Sequence, residues 1–290
     1  MILNGYPSSV AAEKQKDAVD WVAGSVTGTG YGTAEPSGNR TLDRIQAIRS
    51  AEISAYRALS EVINGVRIDS EKTMQDVMKD SVTKSRVEGL IRGAEKVSVD
   101  VKWEGEIPMA TVVMKVCLNS NSRKCISEQS VVTALLNEDS PKAYAPKIDD
   151  FQPNISGTSV PKQGPPSTAY DSTRPVTGLI LQLSPLVTFE RSIFPVIVTI
   201  GEEGKKLCVY SAKNVKPEVI RTFGVIRYAD TVEDALKDSR LGNNAMVIDV
   251  SSVTRENQFV IGTEGARLIR ESTRYGNDYL ADAKVVIAGK

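Results

Sequence analysis

The feature that most constrains how this chain folds is a run of helical periodicity between Thr41 and Asn64. Leu42, Ile45, Ile48, Ala51, Ala55, Leu59 and Val62 recur at steps of three and four residues, so they line one stripe of a helix. Asp43, Arg44, Glu52, Arg57 and Glu61 fall mostly off that stripe. Asn64-Gly65 makes a natural stop, because glycine accepts the left-handed conformation without a Cβ clash. A helix of this length with one apolar face needs a second layer to cover it.

Strand-like segments on both sides supply that layer. Asp20–Thr33 reads as a strand fading into a glycine-rich turn, and Pro36–Arg40 as a loop. Val66–Asp69 reads as a short strand and Glu71–Asp80 as a short helix. From Ser85 to Leu118, two strand-like stretches flank Trp103-Glu104-Gly105-Glu106. In the second, Ala110, Val112, Met114, Val116 and Leu118 share one parity, while Thr111, Lys115 and Cys117 share the other. Such alternation predicts a half-buried antiparallel hairpin. Ile126–Leu136 adds a further strand, and the order predicts one long helix packed on a mainly antiparallel sheet, an α+β arrangement.

Composition shifts between 137 and 175. Pro141, Pro146, Pro153, Pro161, Pro165, Pro166 and Pro175 fall in a stretch rich in Ser, Thr and Gly, which predicts a solvated linker or an extended arm. The expected division is therefore a tail at 1–19, an α+β domain at 20–136, the Pro-rich linker or arm at 137–175, and a second domain at 176–290. In the last of these, Gly178–Leu183, Pro195–Ile200, Leu207–Tyr210, Ala245–Val250 and Ala283–Ala288 read as strands. Thr231–Lys237 reads as a helix with Val232, Ala235 and Leu236 inward, and Glu264–Thr273 as a helix capped by Thr263. Strand and helix alternate, which predicts a mixed sheet with helices.

The chain has no histidine, which removes the commonest general base and the commonest neutral metal ligand. Lysine plus arginine and aspartate plus glutamate are 36 each, so no net field draws it to nucleic acid. No apolar run approaches the roughly 20 residues needed to span a bilayer. The start of the chain is broken by Asn4-Gly5 and Glu13–Lys16, so no signal-peptide h-region is seen.

Few residues qualify as site candidates. Gly28, Gly30 and Gly32 form G-x-G-x-G, but a dinucleotide loop needs G-x-G-x-x-G running straight into a helix, so a strand-end glycine cluster is expected. Asp149-Asp150, Glu202-Glu203 and Glu233-Asp234 are sequence neighbours, without the convergence across a cleft that acid–base pairs need. Tyr56 on the long helix is either core or a partner anchor. Cys117 and Cys125 flank Leu118–Lys124, which reads as a hairpin loop; they form either a bridge suited to an exported protein or, with Cys208, three reduced thiols. Catalytic, cofactor-binding and metal-binding residues are all expected to be absent, and the chain is expected not to be an enzyme.

Ala51–Ile68, AEISAYRALSEVINGVRI, resembles the A-x-x-x-A-Y-R-x-L-x-E-x-I-x-G-V-x-V core of a bacterial small outer-membrane lipoprotein family, related to flagellar envelope proteins of the P and T types. Gly28–Gly32, Val87–Ala94 and Ala110–Leu118 support the resemblance, which covers Asp20–Leu118. The resemblance leads one to expect a signal peptide and an N-terminal lipid-acceptor cysteine, and Met1–Asp20 reads as neither. The resemblance implies export to the periplasm or the periplasmic face of the outer membrane, protein partners and self-association, with no catalytic residue. The expected function is a non-enzymatic structural or assembly protein of the cell envelope. The alternative is a periplasmic module binding peptidoglycan or polysaccharide. An exposed sheet edge or flat apolar patch favours the first, and a concave pocket with convergent polar groups the second.

Overall fold

A computed structural model of the chain describes residues 18–122, 125–136, 144–153, 170–171, 173–273 and 278–289. The fold is α+β, with an antiparallel sheet under a long helix followed by a larger mixed sheet.

The first sheet begins earlier than the expected tail allows. β1 (Ala18–Asp20) pairs antiparallel with β2 (Ser25–Thr33), Ala18 opposite Thr27. Residues 1–17 lie outside the described residues. β2 does not fade into a turn at its glycines: it stays paired from Ser25 to Thr33 with a later strand. The reason is the helix above it, α1 (Arg40–Asn64). A Cβ on Gly28 would lie 2.4 Å from the Leu59 amide nitrogen, and one on Gly32 2.3 Å from that of Ala51. The glycines let a helix rest directly on strand backbone.

This close seat also moves the buried face of α1. Asp43, Ala47, Ala51, Ala55, Leu59 and Ile63 are buried at four-residue steps, and three of them are alanines that meet the glycine strand. Leu42 and Ile45, expected inside, are 44% and 45% exposed. Asn39 caps the helix by accepting from the Thr41 and Leu42 amides. At the other end Gly65 is right-handed, not left-handed, because its amide continues the helical pattern to Glu61 and Val62.

Val66–Asp69 forms no strand beyond a single bridge between Arg67 and Thr73. α2 (Met74–Val77) and α3 (Ser81–Arg92) follow. The first part of the expected strand from Ser85 is thus helical: Asp80 caps it, and Thr83, Val87, Leu90 and Ile91 share its buried face. β3 (Glu95–Glu104) and β4 (Ile107–Cys117) make the hairpin, turning at Gly105 with φ +63°. The sheet order is β1-β2-β4-β3. A small hairpin, β5 (Asn121–Ser122) and β6 (Cys125–Ile126), is followed by α4 (Val131–Leu135). α4 replaces the strand expected over Ile126–Leu136, because Ser130 and Thr133 form a capping box that starts a helix.

Most of the Pro-rich stretch, including Pro141, Pro161, Pro165 and Pro166, lies outside the described residues. Residues 144–153 are not a free solvated connection. Tyr144 stacks on Phe194 with ring centroids 4.5 Å apart, and Phe151 is 9% exposed.

The second sheet contains β7 (Gly178–Leu183), β8 (Ile197–Ile200), β9 (Lys206–Tyr210), β10 (Arg227–Ala229), β11 (Ala245–Val253), β12 (Phe259–Ile261) and β13 (Val285–Ala288). Their order is β10-β13-β7-β11-β12-β8-β9, antiparallel at β11/β12 and β8/β9 and parallel elsewhere. Helices α5 (Pro217–Phe223), α6 (Val232–Leu236) and α7 (Thr263–Ser272) accompany it. In α6, Ala235 is buried but Leu236 is 45% exposed, so the inward face is narrower than expected. α5, β10 and β12 are too short to carry a period. The two sheets share packing: the Ile193 and Phe194 amides donate to the Arg67 and Ile68 carbonyls, and Trp21 meets Tyr228 edge-on at 5.5 Å.

Candidate functional site

The longest open backbone edge among the described residues belongs to β3. It pairs with β4 on one side, and no other described strand pairs with it. By contrast, residues 149–151 lie along β9, the edge of the second sheet. There the Cys208 amide donates to Asp149 and the Phe151 amide to the Cys208 carbonyl. β1 and β10, the other outer strands of the two larger sheets, have three residues each, and β5 and β6 have two each.

β3 alternates cleanly over its second half. Val99, Val101 and Trp103 stand opposite Val112, Ala110 and Pro108 and so share the face that carries α1; Ser98, Asp100 and Lys102 share the other. Val99 is 41% exposed because α1 sits over β2 and β4 and leaves β3 overhanging. Two contacts tie the overhang to the helix: Lys96 with Glu52, and the Arg40 guanidinium 4.3 Å above the Trp103 ring. The first half is less regular, since the register shifts between Lys96 and Ser98 around Val97. Such a bulge and a lysine are devices that blunt an edge. Ser98–Glu104 carries no bulge.

A second feature lies between the β5–β6 hairpin and the β10 end of the second sheet. A cavity of about 520 Å³ is lined by Asn121 and Ser122 on one side and Phe223, Arg227, Lys237 and Arg240 on the other. Asp238, 5% exposed, accepts from Arg227 at 2.8 Å and from the Arg240 amide. Arg240 lies 3.8 Å over the Phe223 ring and donates to the Asp282 carbonyl. Burial, opposed by the neighbouring carboxylates, lowers its pKa to about 10.

The residues singled out in the sequence are scattered. Cys117 and Cys125 are joined by a disulfide, with Cα atoms 5.4 Å apart. Cys117 is on the outer parity of β4 but is buried, because strands β5 and β6 pack against that side, with Cys125 of β6 bonded to it and Ser122 of β5 donating to the Ala23 carbonyl. Cys208 is a buried free thiol in β9, and burial raises its pKa. Asp149 and Asp150 bind separate lysines, Lys205 and Lys213, each at 2.6 Å. Glu202 and Glu203 sit in an exposed single turn, and Asp234 pairs with Lys237. Tyr56 packs at the margin of the core. Among the described residues no three His, Cys, Asp or Glu side chains are grouped to hold a metal, and no helix is long and apolar enough to cross a membrane. The β3 edge went unremarked in the sequence; its signal was the V-x-V-x-W alternation with charges between, which does not say which strand ends a sheet.

The family model for the second domain of Treponema pallidum Tp0624 matches residues 178–289, which is the second sheet from β7 through β13. That description names a domain and no activity. No curated protein matches the chain.

Proposed function

We propose that this chain is a non-enzymatic assembly protein of the bacterial cell envelope, working at the periplasmic side of the outer membrane through protein contacts, in the manner of flagellar envelope components. The observation that carries the reading is the open β3 edge, whose Ser98–Glu104 half has neither bulge nor covering strand among the described residues. An unpaired edge binds by adding a strand, with backbone hydrogen bonds for affinity and alternate side chains for selectivity. The resemblance over Asp20–Leu118 supplies the compartment, and the Cys117–Cys125 bridge suits an oxidising one.

The reading is tested by sedimentation velocity on the purified chain and by cross-linking in envelope preparations. Val99→Lys places a charge on the exposed apolar face of the edge. It is expected to abolish the associated species while leaving the melting temperature at its wild-type value. A chain that is monomeric and uncross-linked in both settings overturns the proposal.

The second reading, a module for an anionic envelope saccharide or peptidoglycan fragment, rests on the cavity holding Arg227, Lys237 and Arg240. Retention on peptidoglycan that is lost in Arg240→Ala, with association unchanged in Val99→Lys, favours it over the first.

A further inference from the structure

We infer that the strand added to β3 is β3 of a second copy, paired antiparallel about a two-fold axis at Val101. The inference rests on the assembly reading and specifies its partner and register. Outward-pointing backbone groups occur on every second residue of an edge, so a two-fold antiparallel pair sets each residue opposite one of the same parity. Few registers remain, and charge together with the register shift between Lys96 and Ser98 separates them.

Centred on Val99, Val101 faces the partner's Val97, so the pairing runs into the register shift between Lys96 and Ser98, and Asp100 meets only the partner's Ser98. Centred on Asp100 the pair sets two carboxylates together, and centred on Lys102 two ammonium groups. Centred on Ser98, the pairing runs through the irregular stretch between Lys96 and Ser98, beyond which Lys96 lies on the face opposite to Asp100. Centred on Val101, Asp100 faces the partner's Lys102 and Lys102 faces the partner's Asp100. On the other face Val99 meets the partner's Trp103 twice, and Val101 meets its own copy. Opposite charges and aromatic–aliphatic pairs directly across a ladder both stabilise it. The side chains of Asp100 and Lys102 are 64% and 73% exposed, and their contact with one another is long at 3.9 Å, so both are accessible to a partner. The pairing spans Ser98–Glu104 and stops short of the bulge. It makes one continuous sheet of the two copies, with both α1 helices on the same face.

The test uses the full chain. Val101→Cys is expected to form a disulfide-linked dimer under mild oxidation, whereas Val97→Cys, 47% exposed but off the axis, is not. Cys208 is buried and Cys117 is bonded to Cys125, so neither competes. Lys102→Asp creates like-charge pairs at two symmetric positions and is expected to weaken association about ten-fold. The exchange Asp100→Lys with Lys102→Asp is expected to restore it to within about two-fold of wild type. Association unaltered by Lys102→Asp, without a Val101→Cys cross-link, overturns the self-pairing but leaves assembly through other contacts standing. A monomer at every concentration that is also uncross-linked in envelope preparations overturns both.

Discussion

Gly30 and Ala55 are held so close that a Cβ on Gly30 would lie 2.1 Å from the Ala55 amide nitrogen, with the Ala51 carbonyl oxygen at the same distance. The obstacle is helix backbone, which cannot swing aside as a side-chain tip can. Gly30→Ala is therefore expected to push α1 off β2 and cost roughly 3 kcal/mol, read as a lower urea midpoint. Gly38→Ala, where no atom lies within 4 Å but φ is +82°, should cost only about 1 kcal/mol. Equal effects at the two sites would show that the close approach is not what Gly30 serves.

The core does not divide at the Pro-rich stretch. Phe194 is 1% exposed, stacks on Tyr144, and its amide donates to the Ile68 carbonyl at 2.7 Å. Phe194→Ala is expected to cost about 3–5 kcal/mol and to lower one common unfolding transition seen by both near- and far-ultraviolet circular dichroism. Two separated transitions, one of them untouched by the substitution, would show that the sheets fold independently.

The Cys117–Cys125 bridge closes a short loop, with a sequence separation of 8. By chain entropy it contributes roughly 2–3 kcal/mol. Thiol titration of the denatured, unreduced protein should find one free thiol, from Cys208, and Cys117→Ser with Cys125→Ser should lower stability by that amount. Three free thiols would remove the bridge.

Three buried tyrosines set the alkaline limit. Tyr228 is pushed up to about 12 by burial, only partly offset by its hydrogen bonds with Ser192; burial raises Tyr210 and Tyr279 as well. In the unfolded chain each ionises near its ordinary value of 10.0. Below pH 10 the folded and unfolded states hold the same phenol protons and the stabilisation is complete. Above it the unfolded chain holds fewer, so each tyrosine removes about 1.4 kcal/mol per pH unit until its folded form also ionises. Arg240 opposes this, since its lowered pKa returns stability above about 10. The tyrosines outnumber it, so urea midpoints should fall steadily from pH 10 to 11. Tyr228→Phe should make that fall shallower; an unchanged slope would assign the loss to other groups.

What the sequence determined by itself is local and periodic. The Thr41–Asn64 helix, the hairpin that turns within Trp103–Glu106, and the main strands and helices of 176–290 all follow from spacing and turn chemistry, because those forces act within a few residues. The tertiary structure decided what required two distant segments at once. Gly28, Gly30 and Gly32 read as a fading strand until α1 is laid on them, and that contact moves the helix's buried face from Leu42 and Ile45 to Asp43 and Ala47. Val99 and Trp103 are legible as strand residues, yet nothing in their alternation says that β3 ends its sheet. Which edge stays open depends on which strands find neighbours. That is settled by long-range pairing, as where residues 149–151 reach β9 and nothing described reaches β3.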